Sequence, residues 1–248
     1  MNSVEEKIEN KIAKPEKKTN SERIKTGVPG MDEVTHGGFV PGSVVMLSGN
    51  TGAGKTIFAL QFLYEGAIKY GEPGLYITTQ NNAEDIRKYA KTIGLDIESL
   101  EKKNLLIIES INPNYPQILL KIVEPLLRKK RFSRLVIDSA TIIEYYIKDI
   151  FKVKNVFYKL FSVLRNSPGS SIIVSEMGLH GDTSTLSVAG IEFLADTVIA
   201  LHRKQKKGAE FTRGIEIVKM RQSDHTKMIH PYTITKKGIK IFPDEKWF

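Results

Sequence analysis

Gly49-Asn50-Thr51-Gly52-Ala53-Gly54-Lys55-Thr56 satisfies the Walker A pattern G-x-x-x-x-G-K-[ST] at every position. Its glycines let the backbone curl until successive N–H groups point inward, an anion nest opening onto a helix N-terminus. Lys55 is expected to reach the β- and γ-phosphates of a bound nucleotide, and the Thr56 hydroxyl to bind Mg²⁺. Such a loop needs a strand before it and a helix after it. Residues 44–48, Val-Val-Met-Leu-Ser, read as the strand, and residues 56–70 as the helix.

Outward from the loop, strand and helix alternate. Gly71-Glu72-Pro73-Gly74 is strong turn chemistry. Strands follow at 75–79, 105–108, 135–137 and 171–174, with helices at 83–93, near 116–130 and at 150–165. Strands that are apolar throughout, interleaved with helices, indicate a mostly parallel sheet covered on both faces. After about residue 195 the helices stop. Residues 197–201, 213–220, 232–235 and 239–242 read as C-terminal antiparallel strands extending that sheet. The fold class is therefore α/β, with one domain over residues 23–248.

Arg134-Leu135-Val136-Ile137-Asp138-Ser139 supplies the partner of the loop. A buried strand ending in one carboxylate puts Asp138 at the sheet's C-terminal edge, where it can hold Mg²⁺ through water. A helix N-cap would explain the same residue taken alone. Its place 82 residues after Thr56, in a parallel α/β pattern, favours the metal role.

Composition narrows the remaining classes. Of the 248 residues, 41% are hydrophobic and none is cysteine, which excludes disulfide scaffolds, Cys-ligated zinc, iron–sulfur clusters and thiol catalysis. No apolar run approaches the ~20 residues of a membrane helix, and the N-terminus lacks the apolar stretch of a signal peptide. A soluble, cytoplasmic protein is expected. Residues 1–22 carry five acids, five bases and only Val4, Ile8 and Ile12 as large aliphatics, too little to offset ordering entropy, so they read as a flexible charged tail. Those aliphatics share one helix face, which leaves a short docking helix as the other reading. Of the net charge of +9, residues 203–240 hold +8: eleven Lys and Arg against Glu210, Glu216 and Asp224. The asymmetry points to an anionic partner or to a solvated basic surface.

Several segments resemble one known family. Thr26-Gly27-Val28-Pro29-Gly30-Met31-Asp32-Glu33, then Gly37-Gly38, looks like the entry signature of RecA-type ATPases, above all their KaiC-like branch. Val188 to Asp196 is similar to that branch's late helix, and Lys219-Met220-Arg221 with Gly238-Ile239-Lys240-Ile241-Phe242-Pro243 resembles its C-terminal strands. The resemblance implies a RecA-like P-loop NTPase fold and a homo-oligomer, in most members a hexameric ring with ATP between subunits. It also implies that Lys219 and Arg221, at i and i+2 on one strand face, reach toward the neighbour's γ-phosphate.

One departure bears on activity. The family usually places two glutamates after the second strand to activate the attacking water. Here the chain reads Thr79-Gln80-Asn81-Asn82-Ala83-Glu84-Asp85, leaving Gln80 and Asn81 where the acids belong. An amide can orient water but cannot accept its proton, and losing a general base costs about 10²–10⁴ in rate. Hydrolysis is expected to be slow or to depend on a protein partner, unless Glu84 reaches in. Ser175-Glu176, at a strand end, reads either as a γ-phosphate sensor or as a cap. The leading reading is an ATP-controlled switch or assembly factor with weak ATPase activity. The alternative is a DNA-binding, recombinase-like accessory. The loop at 177–187, where relatives contact DNA, carries no lysine, arginine or large aromatic, and the cluster Arg128 to Arg131 reads as a solvated helix end.

Overall fold

The structure is a computed structural model describing residues 23–112, 117–128, 132–166, 168–177, 186–205 and 211–247. The tail at 1–22, the cluster at 129–131 and most of the loop at 177–187 lie outside the described residues.

A short helix, α1 (Met31–Val34), precedes β1 (Val44–Gly49), and α2 (Lys55–Tyr70) follows the glycine-rich loop. Next come β2 (Gly74–Thr78), α3 (Ala83–Thr92), α4 (Ile97–Lys102), β3 (Leu106–Ser110), α5 (Gln117–Arg128) and β4 (Arg134–Asp138). The chain continues through α6 (Ala140–Tyr146), α7 (Ile150–Leu164) and β5 (Ser170–Glu176) to a 3₁₀ turn, Ile191–Leu194. Four strands close it: β6 (Thr197–Gln205), β7 (Phe211–Met220), β8 (His230–Thr235) and β9 (Gly238–Ile241).

These strands form one nine-stranded sheet in the order β3-β2-β4-β5-β1-β6-β7-β8-β9. From β3 to β6 every pairing is parallel, and from β6 to β9 every pairing is antiparallel. The α/β expectation holds, including the antiparallel C-terminal strands. Alternation along each strand divides the core between two faces. Val45 and Leu47 pack with Phe58 and Phe62 of α2. Val44 and Met46 face the opposite cluster, with Phe157 and Phe161 of α7. All six residues of β1 are buried, as a strand covered on both sides requires.

Three local expectations change. Helices α4 and α6, at six and seven residues, are too short to show a clear period in sequence; α4 is fixed by an Asp96 cap on the Ser99 amide. The segment similar to a late helix forms only the four-residue 3₁₀ turn. Its Ser187 hydroxyl accepts from the Ile191 amide and donates to Glu192, drawing the backbone into a tight local turn. Arg221 falls one residue beyond β7 rather than within it.

Candidate functional site

The loop between β1 and α2 is held open by backbone geometry that only glycine tolerates. Gly52 and Gly54 take φ of +77° and +96°. A Cβ on Gly54 would lie 2.7 Å from Ile234 Cδ1, and one on Gly49 would lie 2.7 Å from the Leu201 carbonyl oxygen. Tyr232 fixes the far side by donating its hydroxyl to the Ala53 carbonyl. Helix α2 then starts without a side-chain cap and without an acid in its first turn. Its N–H groups and the positive end of its dipole are left for an anion. Asn50 and Thr51 complete the curl, with Asn50 O accepting from the Ala53 amide at 3.1 Å.

Lys55 folds back over the loop, donating to Gly49 O at 2.8 Å and Asn50 O at 3.1 Å, with Glu176 Oε1 at 3.4 Å. Burial of the ammonium lowers its pKa, against the nearby Glu176 and Asp138 charges. Thr56 Oγ1 donates to Asp138 Oδ2 at 2.8 Å, joining the loop to the end of β4 across the intervening β5. Tyr76 on β2 donates its hydroxyl to the same oxygen at 2.5 Å. Burial nevertheless raises the Asp138 pKa, because those hydrogen bonds and Lys55 compensate the lost solvation only in part. Lys55, Thr56 and Asp138 are therefore brought together.

Gln80 and Asn81 follow β2 on the same edge and are exposed. Thr79 ties this corner to the Asp138 strand: its amide donates to Asp138 O, and its hydroxyl exchanges hydrogen bonds with Ser139. Glu84 is 63% exposed on α3 and lies 3.9 Å from Arg87, its i+3 neighbour. Lys219 and Arg221 are not at this loop. Lys219 Nζ donates to Glu192 O and Phe193 O, and Arg221 Nη2 donates to Phe193 O, so both grip the 3₁₀ turn of their own chain.

Sequence reading missed Tyr76, Thr79 and Arg203. The Arg203 guanidinium stacks on Phe211 and sits beside Gly52, 3.5 Å from where a Cβ would lie. Only the register of β6 against β1 carries it there, and local sequence gives no sign of it.

The comparisons with known proteins agree with this architecture. The family model described as "ATPase: KaiC" matches residues 24–246. A circadian clock oscillator protein KaiC of Parathermosynechococcus lividus is 33% identical over 230 residues, covering 88% of this chain and 42% of that protein. The chain thus spans less than half the length of the clock proteins it matches. A UPF0273 protein of Pyrococcus horikoshii is 31% identical over 240 residues, covering 90% of this chain and 95% of that one. The crystal structure of a KaiC-like protein from the same archaeon superposes with a TM-score of 0.77 at 36% identity, over 89% of this chain and 99% of that chain. Matched by that family model over residues 24–246 and 31% identical to a relative covered over 95% of its length, the chain belongs to the KaiC-like family of ATPases.

Proposed function

We propose that the chain binds Mg-ATP at residues 49–56 and hydrolyses it slowly, as the nucleotide-controlled subunit of a homo-oligomer. The observation that carries this reading is the 2.8 Å bond from Thr56 to Asp138, which joins the anion nest to a buried carboxylate. The donor set fits the cation: a hydroxyl and a carboxylate, both hard oxygens, suit Mg²⁺. Bound there, Mg²⁺ would neutralise phosphate charge. Lys55 already rests on the loop carbonyls and would exchange them for phosphate oxygens.

Gln80 is the group that orients water at the β2 corner, where an amide holds the water but does not take its proton. Lys219 and Arg221, clustered on one turn, are the pair offered to a neighbouring subunit. Partner proteins of other kinds would then read the nucleotide-bound assembly. The DNA-binding alternative is not favoured, because the loop at 177–187 has no lysine, arginine or large aromatic to hold phosphates or stack bases.

Lys55→Ala is the direct test. Calorimetric binding of ATP should be abolished in that variant while its circular dichroism is unchanged. Wild-type affinity in Lys55→Ala would remove the assignment.

A further inference from the structure

We propose that Glu176 accepts the proton of the attacking water, a role that rests on the Mg-ATP reading above. The residue ends β5, the strand between β1, which feeds the loop, and β4, which ends in Asp138. Its backbone pairs in register with Gly49, the first residue of the loop. Its Oε1 lies 3.4 Å from Lys55 Nζ, and its side chain is 44% exposed, so the carboxylate stands at the mouth of the site. Its charge also reaches Asp138, where it favours the protonated form.

The position is held from below. The Glu176 amide donates to Thr141 Oγ1 at 2.8 Å, and Thr141 is buried on α6, two residues past the Asp138–Ser139 corner. The other described acids near this edge have different work. Asp138 takes hydrogen bonds from Thr56 and Tyr76. Glu144 accepts from the Ala189 amide. Glu84 faces Arg87 and solvent. With amides at 80 and 81, Glu176 is the carboxylate beside the phosphate lysine.

The reaction then balances as follows. When the phosphates of ATP take over Lys55, Glu176 loses its cation and faces the γ-phosphate side. The water oxygen bonds to the γ-phosphorus while the bond from that phosphorus to the β,γ-bridging oxygen breaks. One water proton passes to the Glu176 carboxylate, and ADP leaves with the electron pair of the broken bond. The glutamic acid afterwards releases its proton to solvent. Gln80 holds the water and does not take its proton.

The experiment uses the full chain and the variants Glu176→Gln and Glu176→Asp. Phosphate release at saturating Mg-ATP should fall by about 10²-fold or more in Glu176→Gln. Calorimetry supplies a readout that does not depend on turnover. Removing a negative charge beside the γ-phosphate should raise the affinity for a non-hydrolysable ATP analogue relative to ADP by roughly tenfold. Glu176→Asp keeps the charge and shortens the reach, so it should keep the wild-type affinity ratio while losing at least about tenfold in turnover. Turnover within threefold of wild type in either variant, or an unchanged affinity ratio in Glu176→Gln, overturns the assignment. Lys55→Ala measured alongside separates the two failures. If it binds nucleotide normally, the Mg-ATP reading itself falls. If it does not bind while Glu176→Gln turns over normally, only the proton acceptor is wrong.

Discussion

Glu144 on α6 shows what a single residue costs the fold. It is 4% exposed; one carboxylate oxygen accepts from the Ala189 amide at 3.1 Å, and the other is without a partner among the described residues. Burial pushes its pKa from 4.5 up to about 7, opposed only in part by backbone N–H groups. Between those values the folded chain keeps a proton that the unfolded chain has lost. Stability therefore falls as pH rises through that window, and the full loss is reached above it. Glutamine at this position keeps the bond to Ala189 and never ionises. The stability of Glu144→Gln relative to wild type should accordingly improve by roughly 1–3 kcal/mol from pH 5 to pH 8. Urea unfolding at the two pH values measures it, and a flat difference would mean that Glu144 titrates as an ordinary surface acid.

At the scale of the element, α2 is built around a buried cation. Arg134, at the start of β4, is fully buried; it pairs with Glu72 at 2.6 Å and donates to the carbonyls of Phe62, Thr26 and Lys25. Its guanidinium also lies over the Phe62 ring, 4.4 Å from the centroid. Gly66, in the middle of α2, leaves the room: a Cβ there would fall 2.3 Å from Arg134 Nε. Propensity alone favours alanine over glycine in a helix by about 1 kcal/mol. Sterics should reverse that sign, because moving Arg134 strands its carbonyl acceptors and Glu72 in a dry interior. Gly66→Ala is expected to lower stability by about 2–4 kcal/mol in chemical denaturation. A stabilised variant would show that the guanidinium has space to shift.

Across the whole molecule, the turn gripped by Lys219 and Arg221 leads into β6 and packs against α7. Phe193, half exposed on that turn, lies under the Lys154 ammonium of α7, 5.7 Å from ring centroid to nitrogen. Within one chain these two cations are spent on carbonyls and on Asp196 rather than on phosphate. If they serve a neighbour's nucleotide, assembly must depend on ATP and on both side chains. Light scattering at micromolar protein should show a larger species with a non-hydrolysable ATP analogue than without it. The Lys219→Ala, Arg221→Ala double variant should stay small under both conditions while binding ATP in its own loop. A wild type that remains monomeric with the analogue would count against the ring.

The primary sequence by itself determined the nucleotide loop, the Asp138 strand and the succession of buried strands and helices. Each of these is local: glycines at fixed spacing, a lysine and a hydroxyl at a helix start, apolar runs closed by turn residues. The resemblance carried by residues 26–38 and 219–243 added the family. Only the tertiary structure decided which strands are neighbours, and so which side chains meet. It placed β5 between β1 and β4, which sets Glu176 against Lys55. It brought Tyr76 from β2 onto Asp138, 62 residues away, and Arg203 from β6 beside Gly52. It also reduced the segment similar to a late helix to one 3₁₀ turn, where a serine hydroxyl competes for the backbone. Register arises from pairings far apart in the chain, and no local pattern encodes it.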